Sequence, residues 1–550
     1  MTTSTPNELT RAIVAAYDET PYTNISFPET HPDKLCAMAR LFGLAAPEPA
    51  RARVLELGCG DGSNLLPMAQ HAPNARFLGV DLSSKHVASG QAAIAACRLA
   101  NAELRQQDLL EFSASEGKFD YIIAHGVFSW VPEQVRSKLL AICRDNLSEN
   151  GVAFVSYNAL PGWGMRKALR DLLLFHTGAL QGTQEKVQQA RALTALLASA
   201  VGTEGGAYGQ LLQQEMARLG TERDYFVRHD LLAEVNQAFY FHEFIRLAAS
   251  ANLQYLSGPI LAQMLVSNLP PKLQEPLRKL GSDPVAVEQY MDFVQNQSFR
   301  RTLLCHAGVK LNRTLTPDLL RGFYYTSLIS KPEAGTLNLQ PGVAHEFQVR
   351  DNVAGLKNDS PFTKAVLDSL AGMKVARISY PELVATARAK SLPFLTGEQH
   401  QRRAATEEGG LAQGLAQLYM RGVIDIFADR PQLTLTVTEK PAATPLARHQ
   451  ATQGGLATNR AHDSIPLDAT ARSILSACNG ERDAAGIVTF LAAQSPAAQS
   501  PAAQSPAAVP NGSQTLSEPG KPIERAPDAH ATWQRNVAIG LPKLAAAGFF

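Results

Sequence analysis

Few cysteines, little net charge and no long apolar run mark this chain, and each shortage excludes a class of protein. Six cysteines stand at 36, 59, 97, 143, 305 and 478 with no Cys-x-x-Cys pair among them. That scatter argues against a zinc site or a disulfide framework and for a reducing compartment. Charged residues make up 18% of the 550 and the formal net charge is +1, so no field for binding a polyanion is implied and nucleic acid is a disfavoured partner. No apolar run reaches the length of a membrane span. The start, Met1 to Glu8, lacks the basic-then-apolar layout of a secretory signal, and the simplest expected location is the cytoplasm. A chain this long exceeds one core and implies roughly three or four domains.

What the chain does carry is concentrated in Arg53-Val54-Leu55-Glu56-Leu57-Gly58-Cys59-Gly60-Asp61-Gly62. A short apolar run opens there into a turn without side chains over its bend, which lets backbone amides approach a nucleotide-like ligand. In the dinucleotide fingerprint the third glycine packs the helix on the strand. Here that place is Ser63, the glycines fall at 58, 60 and 62, and Glu56 precedes them. The spacing fits S-adenosylmethionine better than NAD.

Further apolar runs follow in order. Ala75 to Asp81 ends on an acid about 20 residues past the glycines, where a ribose diol is usually held. Ala102 to Gln107 ends at Asp108-Leu109, a carboxylate for an adenine amino group and a leucine to pack its ring. Lys118 to Ala124 opens into His125-Gly126-Val127-Phe128-Ser129-Trp130-Val131-Pro132, and Gly151 to Tyr157 forms a fifth run. Alternation with helical segments, the first of them Asn64 to Gln70, implies a parallel, doubly wound α/β sheet, with ligands beyond the carboxyl ends of its strands. Leu253 to Leu256 and Phe299 to His306 supply a sixth and seventh strand.

Residues 1–165 thus read as the first part of a cofactor-binding domain, completed by 225–312. Between them, 166–224 is helical in composition, with Gly202 to Gly206 as a break. Its apolar face needs a partner, either a second copy of the chain in a homodimer or the domain itself, under a lid. Residues 313–440 read as a winged-helix pattern. Helices at Phe362 to Leu370, Tyr380 to Ala389 and Glu407 to Met420 precede a hairpin of Val423 to Phe427 with Leu433 to Val437. The third helix has no Lys or Arg between its ends, so a protein contact is expected of it rather than DNA. A second, degenerate copy spans 441–550. It is interrupted over 492–526 by tandem Ala-Ala-Gln-Ser-Pro units and a Pro/Ser/Gly-rich stretch too poor in apolar surface to order itself.

The order Tyr17 to Tyr22, Thr30-His31-Pro32, Leu55 to Gly60 and His125 to Pro132, with His229-Asp230-Leu231-Leu232, Phe239 to Phe244, Gln289 to Phe293 and Phe299-Arg300, resembles class I methyltransferases carrying a methyltransferase regulatory domain. Among these it is similar to the protein lysine methyltransferases that modify rickettsial outer-membrane proteins. The resemblance implies a Rossmann-like seven-stranded domain, a helical dimerisation insert, a middle domain and a winged-helix-like end. It implies S-adenosylmethionine as donor with no metal, and a protein substrate as the leading acceptor. A small molecule or lipid is the rival acceptor, and a non-catalytic, cofactor-sensing protein is the rival class. The candidate cofactor-binding residues are Glu56, Gly58, Cys59, Gly60, Asn64, Asp81, Leu82, Asp108, Leu109, His125 and Tyr22. Tyr17, Tyr22 and His31 are expected on an N-terminal cap. Trp130, Tyr157, His125 and Phe128 are the candidate catalytic residues, with Trp163 beside them. Their aromatic faces suit an amine, whose pKa an apolar channel lowers.

Overall fold

Alternation decides where the strand runs of this chain go. In Phe119–Ala124, Tyr121 and Ile123 enter one apolar layer while Ile122 and Ala124 enter the other, as the two-residue period of a strand requires. The computed structural model describes residues 25–200, 206–350, 354–494 and 529–550. They form two units, one up to Arg430 and one from Pro431.

In the first unit, β1 (Arg53–Leu57), β2 (Arg76–Asp81), β3 (Ala102–Gln106), β4 (Phe119–Ala124), β5 (Leu147–Asn158), β6 (Leu253–Ser257) and β7 (Phe299–His306) make one sheet in the order β3-β2-β1-β4-β5-β7-β6. β1 runs parallel to β2 and β4, and β2 and β4 run parallel to β3 and β5. β7 runs antiparallel to both β5 and β6, so the five strands read as parallel are parallel and the sheet as a whole is mixed. An apolar run reports burial, not direction. One face is covered by α1 (Pro32–Leu41), whose residues Leu35 to Met38 are fully buried. α2 (Leu65–His71) and α3 (Ser84–Cys97) follow β1 and β2, and α4 (Glu133–Asn146) packs Leu139, Ile142 and Cys143 on the other face.

Between β5 and β6 the chain builds α5 (Trp163–Thr177), α6 (Thr183–Ala200) and α7 (Gly206–Thr221), then a π-helical turn at Val227–Leu231. These helices share a core of their own, with Leu169, Leu173, Val187, Ala190, Met216, Leu219, Val227 and Leu231. Phe175 and Leu196 lie outside it, 88% and 62% exposed.

Farther along the first unit, β8 (Tyr324–Ser327) is flanked by Ile378–Ser379 and Ile424–Phe427, both antiparallel to it. The expected hairpin of Val423 to Phe427 with Leu433 to Val437 does not form. Ile424–Phe427 takes β8 as its partner, and 433–437 carries no strand; there Thr434 N donates to Phe550 O at 2.8 Å. The helix expected from Glu407 to Met420 is two, Glu398–Gly409 and Leu411–Met420, broken at the glycine pair 409 and 410. α1 is tied to this region by a Lys34–Asp425 ion pair and by Arg377, whose Nη1 lies 2.9 Å from Asp33 Oδ2.

The second unit contains helices Pro445–Gln453, Ala469–Ala477, Ala484–Gln494 and Ala529–Ala546 and a ladder of Leu456–Thr458 on Ser464–Pro466. Ile474, Leu475, Ile487, Leu541 and Phe549 are among its core. Most of the 492–526 interruption lies outside the described residues. All six cysteines are buried and unbridged, no metal-binding group exists among the described residues, and no described helix is long and apolar enough to cross a membrane.

Candidate functional site

The glycine turn after β1 is stitched to β2. Gly58 N and Cys59 N both donate to Val80 O, at 2.8 and 3.1 Å. Gly58 has φ +70°, and a Cβ there would stand 2.5 Å from Val127 Cγ2; only glycine meets both conditions without strain. At the end of β2, Asp81 accepts from Gly60 N and from Ser83 N, each at 2.9 Å, one on either carboxylate oxygen. The acid is thereby held rigid with further lone pairs to offer. Asp108 Oδ1 accepts from Leu110 N at 2.9 Å and caps the short turn that presents Leu109.

Glu56 is buried at the end of β1. Its Oε1 accepts from Asn64 Nδ2 at 2.7 Å, and its Oε2 has no partner among the described residues. Burial, with Asp61 and Asp81 adding repulsion and the Asn64 hydrogen bond opposing, pushes its carboxyl up to about 8. Asn64 Oδ1 also accepts from Phe27 N at 2.9 Å, and its Nδ2 donates to Thr30 Oγ1 at 3.0 Å. The segment before α1 is thus fastened to the cofactor-side acid. Phe27 stacks on His125 with ring centroids 3.8 Å apart, and Phe154 and Phe299 approach the same ring at 5.9 and 6.0 Å. Burial pushes the His125 imidazole down to about 4; Glu29 opposes this and Arg301 adds to it. A neutral imidazole results near pH 7.

One cavity of about 420 Å³ gathers these groups, lined by Glu56, Gly58, Cys59, Gly60, Asn64, Asp81, Leu82, Asp108, Leu109, His125 and Trp130. Phe128 and Tyr157, expected to be catalytic, are corrected to core. Phe128 sits among Phe239, Phe244 and Tyr157, and Tyr157 stacks on Phe244 at 4.1 Å with its hydroxyl 3.1 Å from Thr302 Oγ1. Strand alternation sends Tyr157 inward and leaves its neighbour Asn158 at the cavity. His31 caps α1, its Nδ1 accepting from Asp33 N at 3.2 Å, and does not line the cavity. Tyr17 and Tyr22 lie outside the described residues.

The opposite wall comes from the insert. Trp163 and Arg166 of α5, with Phe226, His229 and Asp230 around the π-turn, line the same cavity. The insert is expected either to self-associate or to fold back as a lid, and part of it, α5 and the π-turn, lines the cavity. Phe27, Asn158, Arg166, Phe226 and Asp230 are among the residues that motif reasoning did not bring to the site. Phe27 shows as an aromatic ahead of a proline, and Asp230 shows only within the His229 to Leu232 stretch of the resemblance, which does not place it at the cavity.

The cavity fits a nucleoside carrying an amino-acid chain. A glycine turn keeps side chains off the cradle, a rigid acid stands at the end of β2, an acid and a leucine stand beyond β3, and a buried carboxylate oxygen on Glu56 has no partner among the described residues.

Comparisons with known proteins agree with that architecture. Residues 54–151 match the methyltransferase domain family, 223–306 the predicted methyltransferase regulatory domain, and 439–549 the PKMT C-terminal winged helix domain. The structure of PKMT2 from Rickettsia typhi in complex with AdoHcy is similar, with a TM-score of 0.80, 32% identity, and coverage of 96% of this chain and 99% of that one. An uncharacterised protein of Rickettsia prowazekii (strain Madrid E) is 33% identical over 513 residues, 92% of this chain and 88% of the relative. A trans-aconitate 2-methyltransferase of Deinococcus radiodurans is 34% identical over 127 residues, 23% of this chain and 46% of that protein.

Proposed function

The chain belongs to the PKMT family of S-adenosylmethionine-dependent methyltransferases, and from that premise we propose that its acceptor is the side-chain amine of lysine in a protein substrate. The likeness to PKMT2 of Rickettsia typhi across nearly the whole of both chains carries this reading.

S-adenosylmethionine supplies a methyl group on a sulfonium, which a nucleophile displaces in line. The work left to the chain is holding and orienting. The Gly58 to Gly60 turn, free of side chains at its glycines, would let the cofactor lie close to the backbone, with Asp81 holding the ribose, Asp108 and Leu109 the adenine, and Glu56 the ammonium of the methionine moiety. Neutral His125, clamped by Phe27, places no like charge beside a sulfonium. On the acceptor side, Trp130, Trp163 and Phe226 line an aromatic approach, which holds a cationic amine by its ring faces and lowers its pKa through burial. A carboxylate acceptor such as trans-aconitate would instead meet Asp230 in the same wall, and that likeness covers only 23% of this chain.

The test is transfer of methyl label from S-adenosylmethionine into a cell lysate separated into protein, nucleic-acid and small-molecule fractions, followed by mass spectrometry of the labelled peptides. Methylated lysine is expected. Label confined to small molecules would remove the lysine reading, and cofactor binding without turnover on any fraction would favour a sensing role.

A further inference from the structure

The insert wall contains a buried carboxylate, Asp230, that no described ion pair neutralises. Arg166 of α5 lies 3.4 Å from Glu215 Oε2, and Arg218 of α7 reaches the same oxygen at 3.3 Å and Glu222 Oε1 at 3.1 Å. These two guanidinium groups are engaged by Glu215 and Glu222, yet Asp230 stands in the same field. Asp230 is 9% exposed, lines the cavity and forms no salt bridge with another described residue. Its backbone carbonyl accepts from Asn236 Nδ2 at 2.8 Å, which pins the π-turn, a local form that concentrates at functional sites. A buried carboxylate is costly unless a cation joins it.

We propose that Asp230 is the acceptor-side anchor, a binding site for the ammonium of the incoming lysine, so that preference for a cationic acceptor resides in the insert and not in the sheet. This rests on the lysine reading above. The geometry gives the anchor its surroundings: Trp163 and Phe226 bound the approach, and Trp163 Nε1 has no partner among the described residues.

A pH dependence follows. Burial pushes the Asp230 carboxyl up to about 7, with Glu222 adding and Arg218 and Arg166 opposing. Around it lie Arg166 on α5, which pairs with Glu215, then Arg218 on α7 and Glu222 after it, with Arg228 and His229 its neighbours on the turn itself. Below the folded value the carboxyl is neutral and the anchor is lost, so lysine binding weakens as pH falls through about 7.

The experiment uses the full chain with S-adenosylhomocysteine bound. Calorimetry measures N-acetyl-lysine methylamide against N-acetyl-norleucine methylamide, which keeps the four-carbon stem and lacks the ammonium, in the native protein, Asp230→Asn and Asp230→Glu, across pH 6 to 9. In Asp230→Asn the lysine probe should weaken about 10-fold or more and lose its pH dependence. The norleucine probe and the S-adenosylhomocysteine affinity should stay within about 2-fold, and Asp230→Glu should restore part of the lysine affinity. Equal lysine-probe affinity in Asp230→Asn and native protein would overturn the anchor. Lost S-adenosylhomocysteine binding in both variants would also overturn it, making Asp230 structural. The lysine reading fails separately, when methyl label is found off lysine; label on lysine with an indifferent Asp230→Asn overturns the anchor alone.

Discussion

At the scale of single residues, Glu56 couples the cofactor side of the cavity to pH. Its folded-state value is raised to about 8 from an ordinary 4.5, so the native state holds the proton more tightly than the unfolded chain. Its contribution to stability is therefore undiminished below about 4.5, is lost progressively as pH rises to about 8, and stays lost above that. Glu56→Gln should remove this share of the decline, and without cofactor the variant should melt higher than the native protein at pH 9, as read by calorimetric melting temperature. Gly58→Ala places a side chain at φ +70°, 2.5 Å from Val127. The left-handed backbone alone costs about 1–2 kcal/mol, and S-adenosylhomocysteine affinity should fall about 10-fold or more in titration calorimetry. Asp81→Ala leaves the amides of Gly60 and Ser83 without their acceptor and should destabilise by about 1–3 kcal/mol while abolishing measurable cofactor binding; native affinity would misassign the site. These positions were legible in the sequence because each ends an apolar run. Phe128 and Tyr157 misled because neither reveals which face of its element turns inward. Asp230 was illegible as a site residue because folding, not spacing, carries it to a cavity whose other walls come from residues far upstream.

At the scale of elements, the insert is a small core wrapped around one cavity wall. Leu173 of α5 is fully buried among Leu169, Val187 and Val227, and Leu173→Ala should cost about 2–5 kcal/mol of packing there. The sheet does not depend on it. Faster amide exchange confined to 163–231, with a raised KM for the acceptor and unchanged cofactor affinity, is the expected outcome, read by hydrogen-exchange mass spectrometry and steady-state kinetics. All seven strands of the sheet were readable as short apolar runs, because buried strand residues leave that mark, most faintly in β3, where Leu104 alone is buried. The direction of β7 was not, and neither was the partner of Ile424–Phe427. Its neighbour β8 lies about a hundred residues earlier, while the nearby alternation of Leu433, Leu435 and Val437 imitates a hairpin arm. Leu435 and Val437 stay exposed, so no packing rewards that pairing.

At the scale of the whole molecule, every described residue lining the cavity belongs to the unit that ends at Arg430. A chain shortened to residues 1–430 should therefore bind S-adenosylhomocysteine within about 2-fold of the full protein by calorimetry; a larger loss would mean that the second unit supports the site. The order of the sheet sets a further condition. β7, residues 299–306, is hydrogen-bonded between β5 and β6, and its first residue, Phe299, touches both the cavity and the ring of His125. During synthesis on a ribosome, β5 waits with one open edge until more than half of the 550 residues have emerged. Cofactor cannot rescue the nascent chain before that moment, since its pocket does not yet have all its walls. The interval in which this protein is vulnerable to aggregation is set by the rate of translation across residues 159–306, so slowing the ribosome there prolongs the exposure of an unpaired strand.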